Sequence, residues 1–168
     1  MDRPIQQRSV EPFVASVENL FRTMLKQTVE AQLAQPGASA LTERHVRATI
    51  RLSGDVMGSV TLIMPEGPSI EAVLKFVGKR MPFGSADFRD AVGELANMIA
   101  GGAVSRISGV KIRIGCPSIV MGPVATAPAV DGAADDGATV LQLPFATGGG
   151  TFLVELLMTE IGSAAKAA

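Results

Sequence analysis

Within the stretch 87–107, two acids, an amide and a glycine recur as Asp90, Glu94, Asn97 and Gly101, at i, i+4, i+7 and i+11. At about 100° per residue, this spacing puts all four on one stripe of an α-helix. A carboxylate and an amide three residues apart share a face and can act on one ligand together. The amide can both donate to and accept from water without changing protonation state. Each side chain also has an ordinary explanation. Asp90 follows Asp87, the expected N-cap, and carboxylates are favoured at the positive end of a helix. Glu94 is a common solvent-facing helix former. Asn97 is harder to explain this way, because asparagine inside a helix costs roughly a few tenths of a kcal/mol against alanine. Gly101 and Gly102 cost roughly 1 kcal/mol each. Small residues there are expected where something approaches the helix closely.

Other residues with chemical potential fit their surroundings less well. Cys116 has Gly122 six positions on, where a cysteine-phosphatase loop needs arginine, so it is expected as a buried strand residue. His45 is the single histidine and has no Cys or carboxylate neighbour at ligand spacing. No metal site and no cofactor of the chain's own are expected, and the glycine clusters match neither a Walker nor a dinucleotide fingerprint. Fifteen Lys and Arg against sixteen Asp and Glu give a net charge of -1, with no basic block. This balance argues against nucleic acid or anionic lipid as partner. The one cysteine cannot close an internal disulfide, and Asp2, Arg3, Glu11 and Glu18 interrupt any signal-like apolar run. A cytoplasmic setting is expected. Mean hydropathy is +0.32, yet the longest uncharged stretch, 137–154, contains Gln142, Pro144 and three consecutive glycines. That pattern reads as a hairpin, not as the roughly 20 apolar residues of a membrane span.

The elements that must position the stripe follow from periodicity. Phe13, Val17, Leu20 and Met24 recur at helical spacing and predict a long first helix over about 10–33, ending before Pro36-Gly37. Val46, Ala48, Ile50 and Leu52 alternate with polar residues as a strand, and a second strand at about 59–64 completes a hairpin. Ser69 is expected to cap a short helix that stops at Gly78. In the third helix, about 87–107, Phe88, Val92, Leu95 and Ile99 form the core stripe, and Gly109 closes it. A strand from Ile112 runs past Pro117 to Met121, which implies an edge, a bulge or a strand start at the proline. Two last strands, about 138–145 and 151–159, flank the triple glycine. One domain with a core of about 10–160 is expected, with a mobile loop at about 122–137 and a frayed tail at 162–168. The predicted class is α+β, a mostly antiparallel sheet with long helices packed on one side.

With those elements in place, Asp90-x-x-x-Glu94-x-x-Asn97-x-x-x-Gly101 resembles the signature helix of the CheC/CheX family of chemotaxis phosphatases. Gly54 to Leu62 is similar to that family's Gly-x-x-x-Gly hairpin, Pro117 to Gly122 to its Pro-x-x-x-x-Gly segment, and Gly149 to Glu155 to its final strand. Only one Glu-x-x-Asn helix is present, because Glu18 and Asn19 are adjacent and cannot share a face. The resemblance is therefore to the single-site, CheX-like branch.

The resemblance implies a partner, a reaction and roles. The partner is a phosphorylated CheY-like receiver that brings its own divalent metal and lysine, and the reaction is hydrolysis of its aspartyl phosphate. Asn97 would position the attacking water, Glu94 would anchor the receiver's lysine, and Asp90 and Gly101 would support the contact. Little acid–base work falls to this chain. A homodimer joined through sheet edges is also implied, and Thr151 to Met158, apolar on both faces, reads either as an edge strand that needs cover or as a central strand buried within one subunit. The alternative is a receiver-binding or flagellar-switch-like module without catalysis.

Overall fold

A computed structural model of the chain describes residues 3–36, 43–123 and 139–162. Helices α1 (Ile5–Arg8) and α2 (Val10–Thr23) precede two short strands, β1 (Glu30–Ala31) and β2 (Gln35–Pro36). The hairpin β3 (His45–Gly54) and β4 (Val56–Pro65) leads into α3 (Glu66–Val77) and α4 (Ala86–Val104). Strands β5 (Ile112–Ile114), β6 (Ser118–Gly122), β7 (Leu141–Thr147) and β8 (Gly150–Glu160) complete the order. The strands form one sheet in the order β1-β7-β8-β4-β3-β5, with β2 also on β7 and β6 also on β3. Every pairing is antiparallel. The expected α+β class is what the structure shows.

Strand alternation decides which face meets the helices. Val46, Ala48, Ile50 and Leu52 of β3, Val60, Leu62 and Met64 of β4, and Phe152, Val154, Leu156 and Met158 of β8 are all buried in one core. Against them lie Phe13, Val17, Leu20 and Phe21 of α2 and Phe88, Val92, Leu95 and Ile99 of α4. Phe21 stacks on Phe152 at 5.0 Å between ring centroids, and Phe152 on Phe145 at 5.2 Å. Stacked rings of this kind add about 0.5–1.5 kcal/mol each beyond area burial.

The hairpin glycines answer to geometry. Gly58 has φ +142°, and a Cβ there would overlap the Leu157 carbonyl of the neighbouring strand. Gly54 has φ +107° and faces the Lys111 carbonyl. Only glycine meets both demands, and this fixes the Gly-x-x-x-Gly spacing.

Several expectations are corrected. The first helix stops at Thr23, not near 33. Lys26 takes φ +52°, and the Leu25 and Gln27 N–H groups donate to the Leu20 and Phe21 carbonyls. This turn returns Leu25 and Val29 to the core and lets Glu30–Ala31 pair with β7. Ser69 is not a cap: α3 starts behind Pro65, and the buried Ser69 hydroxyl donates to the Glu66 carbonyl at 2.8 Å. α4 ends at Val104, and tighter i→i−3 bonds from Arg106 and Ile107 finish the turn. Cys116 is exposed, because it falls in the break between β5 and β6. β8 is an interior strand between β4 and β7, so the edge argument for a homodimer falls. The expected loop at 122–137 and tail at 162–168 lie almost wholly outside the described residues.

Candidate functional site

Helix α4 is fixed at its start by Ser85, whose hydroxyl accepts a hydrogen bond from the Phe88 N–H at 3.2 Å. Ser85, not Asp87, is therefore the N-cap. Asp87 sits in the first turn, where its charge favours the helix dipole. The four-residue core stripe of α4 is fully buried. Opposite it, Asp90 and Glu94 are exposed, while Asn97 and Gly101 are half-buried along the same ridge. The structure thus brings all four expected residues onto one face. Among the described residues, none hydrogen-bonds or ion-pairs with the side chains of Asp90, Glu94 or Asn97. Their donors and acceptors are open to an external partner.

Both flanks of α4 are tightly packed. On one side a Cβ at Gly93 would lie 3.1 Å from Pro117 Cγ and 3.4 Å from Ile119 Cδ1. Arg89 on this flank donates to the Ile119 carbonyl at 3.3 Å. On the other side the Ser16 hydroxyl of α2 donates to the Ile99 carbonyl at 2.7 Å, and a Cβ at Gly102 would lie 2.5 Å from that Oγ. Gly101 differs from its neighbour. Its Cβ would meet only Ile114 Cδ1, at an ordinary 3.7 Å. Packing within the chain therefore excludes a Cβ at 102 unless Ser16 shifts, leaves only tight room for one at 93, and accepts one at 101.

The strand beside this ridge is broken. β3 pairs Leu52 with Ile114 and Thr49 with Ser118, so Ile50 and Arg51 face three residues, Gly115, Cys116 and Pro117. One extra residue on the edge makes a β-bulge at the proline. The sequence allowed a bulge among three options, but it did not reveal that the bulge lies beside the ridge, because that depends on the β3 register. His45, the first residue of β3, is buried with its ring against Gly122, and Arg47 Nε donates to its Nε2 at 3.2 Å. This explains the glycine that ends the Pro-x-x-x-x-Gly segment and leaves the imidazole engaged inside the fold.

Among the described residues, no three His, Cys, Asp or Glu side chains are grouped to hold a metal ion. A concavity of about 540 Å³ between the start of α3 and the β7–β8 turn is lined by Glu43, Arg44, Glu66 and Thr151, and by none of the ridge residues. No helix of the described residues is long and apolar enough to cross a membrane.

Comparisons with known proteins bear on the fold and the family. No curated protein matches the sequence. The fold is shared with the chemotaxis protein CheX from Vibrio vulnificus, at 25% identity, TM-score 0.76, and coverage of 90% of this chain and 99% of the other. It is also shared with CheX from Desulfovibrio desulfuricans, at 24% identity and TM-score 0.74, with 92% and 99% covered. The CheX–CheY–BeF3–Mg complex from Borrelia burgdorferi matches at 22% identity and TM-score 0.67, with 90% and 98% covered. The family model described as "Chemotaxis phosphatase CheX" matches residues 46–144, more than half of the chain. The hairpin, the ridge helix and the bulged edge all lie within that span, and the chain belongs to the CheX family of chemotaxis phosphatases.

Proposed function

We propose that this chain accelerates hydrolysis of the aspartyl phosphate of a CheY-like receiver, with Glu94 and Asn97 as the two residues that act. The observation that carries this reading is the pair itself: a carboxylate and an amide, open to an external partner, on the outward ridge of a helix whose other faces are packed. The receiver already contributes the phosphoryl group, a divalent metal and a lysine. What it lacks is a water held in line with the scissile bond. The Asn97 amide can hold such a water by donating from nitrogen and accepting at oxygen. Glu94, three residues back on the same face, is placed to engage the receiver's lysine and align the two proteins. The rate gain comes from positioning, and no proton need pass through this chain. Asp90 and Gly101 extend the contact along the ridge. The structurally similar Borrelia protein was solved with CheY, which supports a receiver as the partner class. The reading includes a cytoplasmic setting, where such receivers reside, and a homodimer, which rests on the family resemblance now that β8 is interior.

The test is phosphate loss from each purified CheY-like receiver of the same cell, with the wild-type protein and with Asn97→Ala. Wild type is expected to accelerate loss from at least one receiver. The variant is expected to retain its fold and lose about 100-fold in rate, since about 2.7 kcal/mol of barrier is a modest loss for a mispositioned water. A variant with more than about half the wild-type rate would refute the role of Asn97. Acceleration of no receiver by the wild type would leave a binding module in place of a phosphatase.

A further inference from the structure

The bulge beside α4 stands at a defined height on the ridge. Gly93, Asn97 and Gly101 are four residues apart and form one column on the helix. A Cβ at the lower end of the column would meet Pro117 and Ile119, and one at the upper end would meet Ile114. Asn97, midway between them, is therefore level with the residues between Ile114 and Pro117, namely Gly115 and Cys116. Those two bulge residues, together with Pro117 and Ser118, form a run of four consecutive exposed residues on the outer edge of the sheet. The inward-facing isoleucines on either side, Ile114 and Ile119, are half-buried in the core. An unbroken strand would turn residue 116 toward the helix, whereas in the bulge Cys116 is exposed. α4 and the exposed bulge therefore border the same stretch of surface.

From this geometry we infer that the Gly115–Cys116–Pro117 bulge is the second wall of the receiver-docking site and limits how closely a receiver can seat over Asn97. The inference rests on the proposed receiver reading and adds a surface to it. A receiver that brings its phosphoryl group to Asn97 meets the bulge next, because Pro117 packs directly against Gly93, the residue before Glu94. The two surfaces are continuous. The bulge also lies on an outer strand, so among the described residues one side of its backbone has no strand partner and can meet the receiver's main chain. Cys116 serves as a probe and carries no chemistry in this inference.

Cys116 is the only cysteine of the chain, so a maleimide labels one place. Labelling is followed with and without each purified CheY-like receiver loaded with Mg²⁺ and beryllofluoride, for the wild-type protein and for Asn97→Ala. The expected result is slowing of about tenfold or more by the cognate receiver in both proteins, since docking needs the surface and not the amide. Cys116→Trp, its fold checked by thermal melting, is expected to raise the half-saturating receiver concentration about tenfold.

Unslowed labelling at receiver concentrations that saturate dephosphorylation overturns the second wall and leaves the phosphatase standing. Slowed labelling by a receiver that is never dephosphorylated supports the wall and overturns the catalytic reading. Neither effect with any receiver overturns both. A folded Cys116→Trp with wild-type half-saturation also overturns the wall.

Discussion

Gly101→Ala and Gly102→Ala add the same methyl group one residue apart on α4, and they are expected to move stability in opposite directions. Either substitution gains helix propensity, about 1 kcal/mol per glycine replaced in a helix interior. At position 101 the new methyl meets only Ile114 Cδ1 at 3.7 Å, an ordinary contact, so the gain is kept. At position 102 the methyl would sit 2.5 Å from Ser16 Oγ, which is buried and donates to the Ile99 carbonyl at 2.7 Å. The hydroxyl must turn away or the helices must part. Losing a buried hydrogen bond costs about 1–3 kcal/mol, and overpacking adds about 1 kcal/mol or more. The net expectation is about 1 kcal/mol gained at 101 and about 1 kcal/mol or more lost at 102. For a chain of this length the melting temperatures should separate by about 4–8 °C, since each kcal/mol moves the midpoint by about 2–4 °C. Urea denaturation with an unchanged slope checks that only stability moved. The more stable Gly101→Ala is also expected to be the poorer phosphatase, because its methyl projects from the ridge toward the receiver. Equal stabilisation by both substitutions would refute the packing argument at 102. Wild-type activity in Gly101→Ala would remove Gly101 from the contact.

Glu94→Gln is expected to raise the half-saturating receiver concentration by about thirtyfold or more, the equivalent of about 2 kcal/mol for one partner of a charge pair desolvated in the complex, with Glu94→Lys worse still. Unchanged half-saturation in both variants would remove the anchor role. Light scattering over a dilution series should give a mass twice the 17.4 kDa of one chain if the homodimer forms, and a mass that stays near 17.4 kDa would exclude it.

The parts that were legible in the sequence are those in which one local period decides burial. α4 is of this kind: Phe88, Val92, Leu95 and Ile99 repeat at the helical period and are fully buried, and the ridge follows from the same count. β3 is too, because Val46, Ala48, Ile50 and Leu52 alternate and all four face the helices. The end of α2 was not legible. Leu25 and Val29 sit four apart and are buried, so they imitate a continuing helix, yet they reach the core through a turn at Lys26. Ser69 misled for a similar reason, since a serine before an apolar run looks like a cap, while the structure starts α3 earlier and turns the hydroxyl back on Glu66. The exposure of Cys116 depends on how residues 112–122 register against β3, more than 50 positions away in the chain. No local pattern carries that pairing.

A site that works by positioning is only as good as the rigidity behind it, and misplacement by about 1 Å can cost about 100-fold. The packing around α4 is arranged to prevent such displacement. Gly93 lets the bulged edge close on one flank, and Gly102 lets α2 close on the other, with Ser16 tying the two helices through the Ile99 carbonyl. Beneath, four large side chains lock the rotation of the helix about its axis. Each glycine costs about 1 kcal/mol of helix propensity, a loss offset by burial that an alanine-rich helix could not reach at these distances. Rotation of α4 by one residue would bury Glu94 and expose core, so the ridge has a single setting. In its proposed role Asn97 gains further from being half-buried, because its amide has fewer rotamers to give up on holding a water. Preorganisation of this kind is what the roles proposed for Asn97 and Glu94 require.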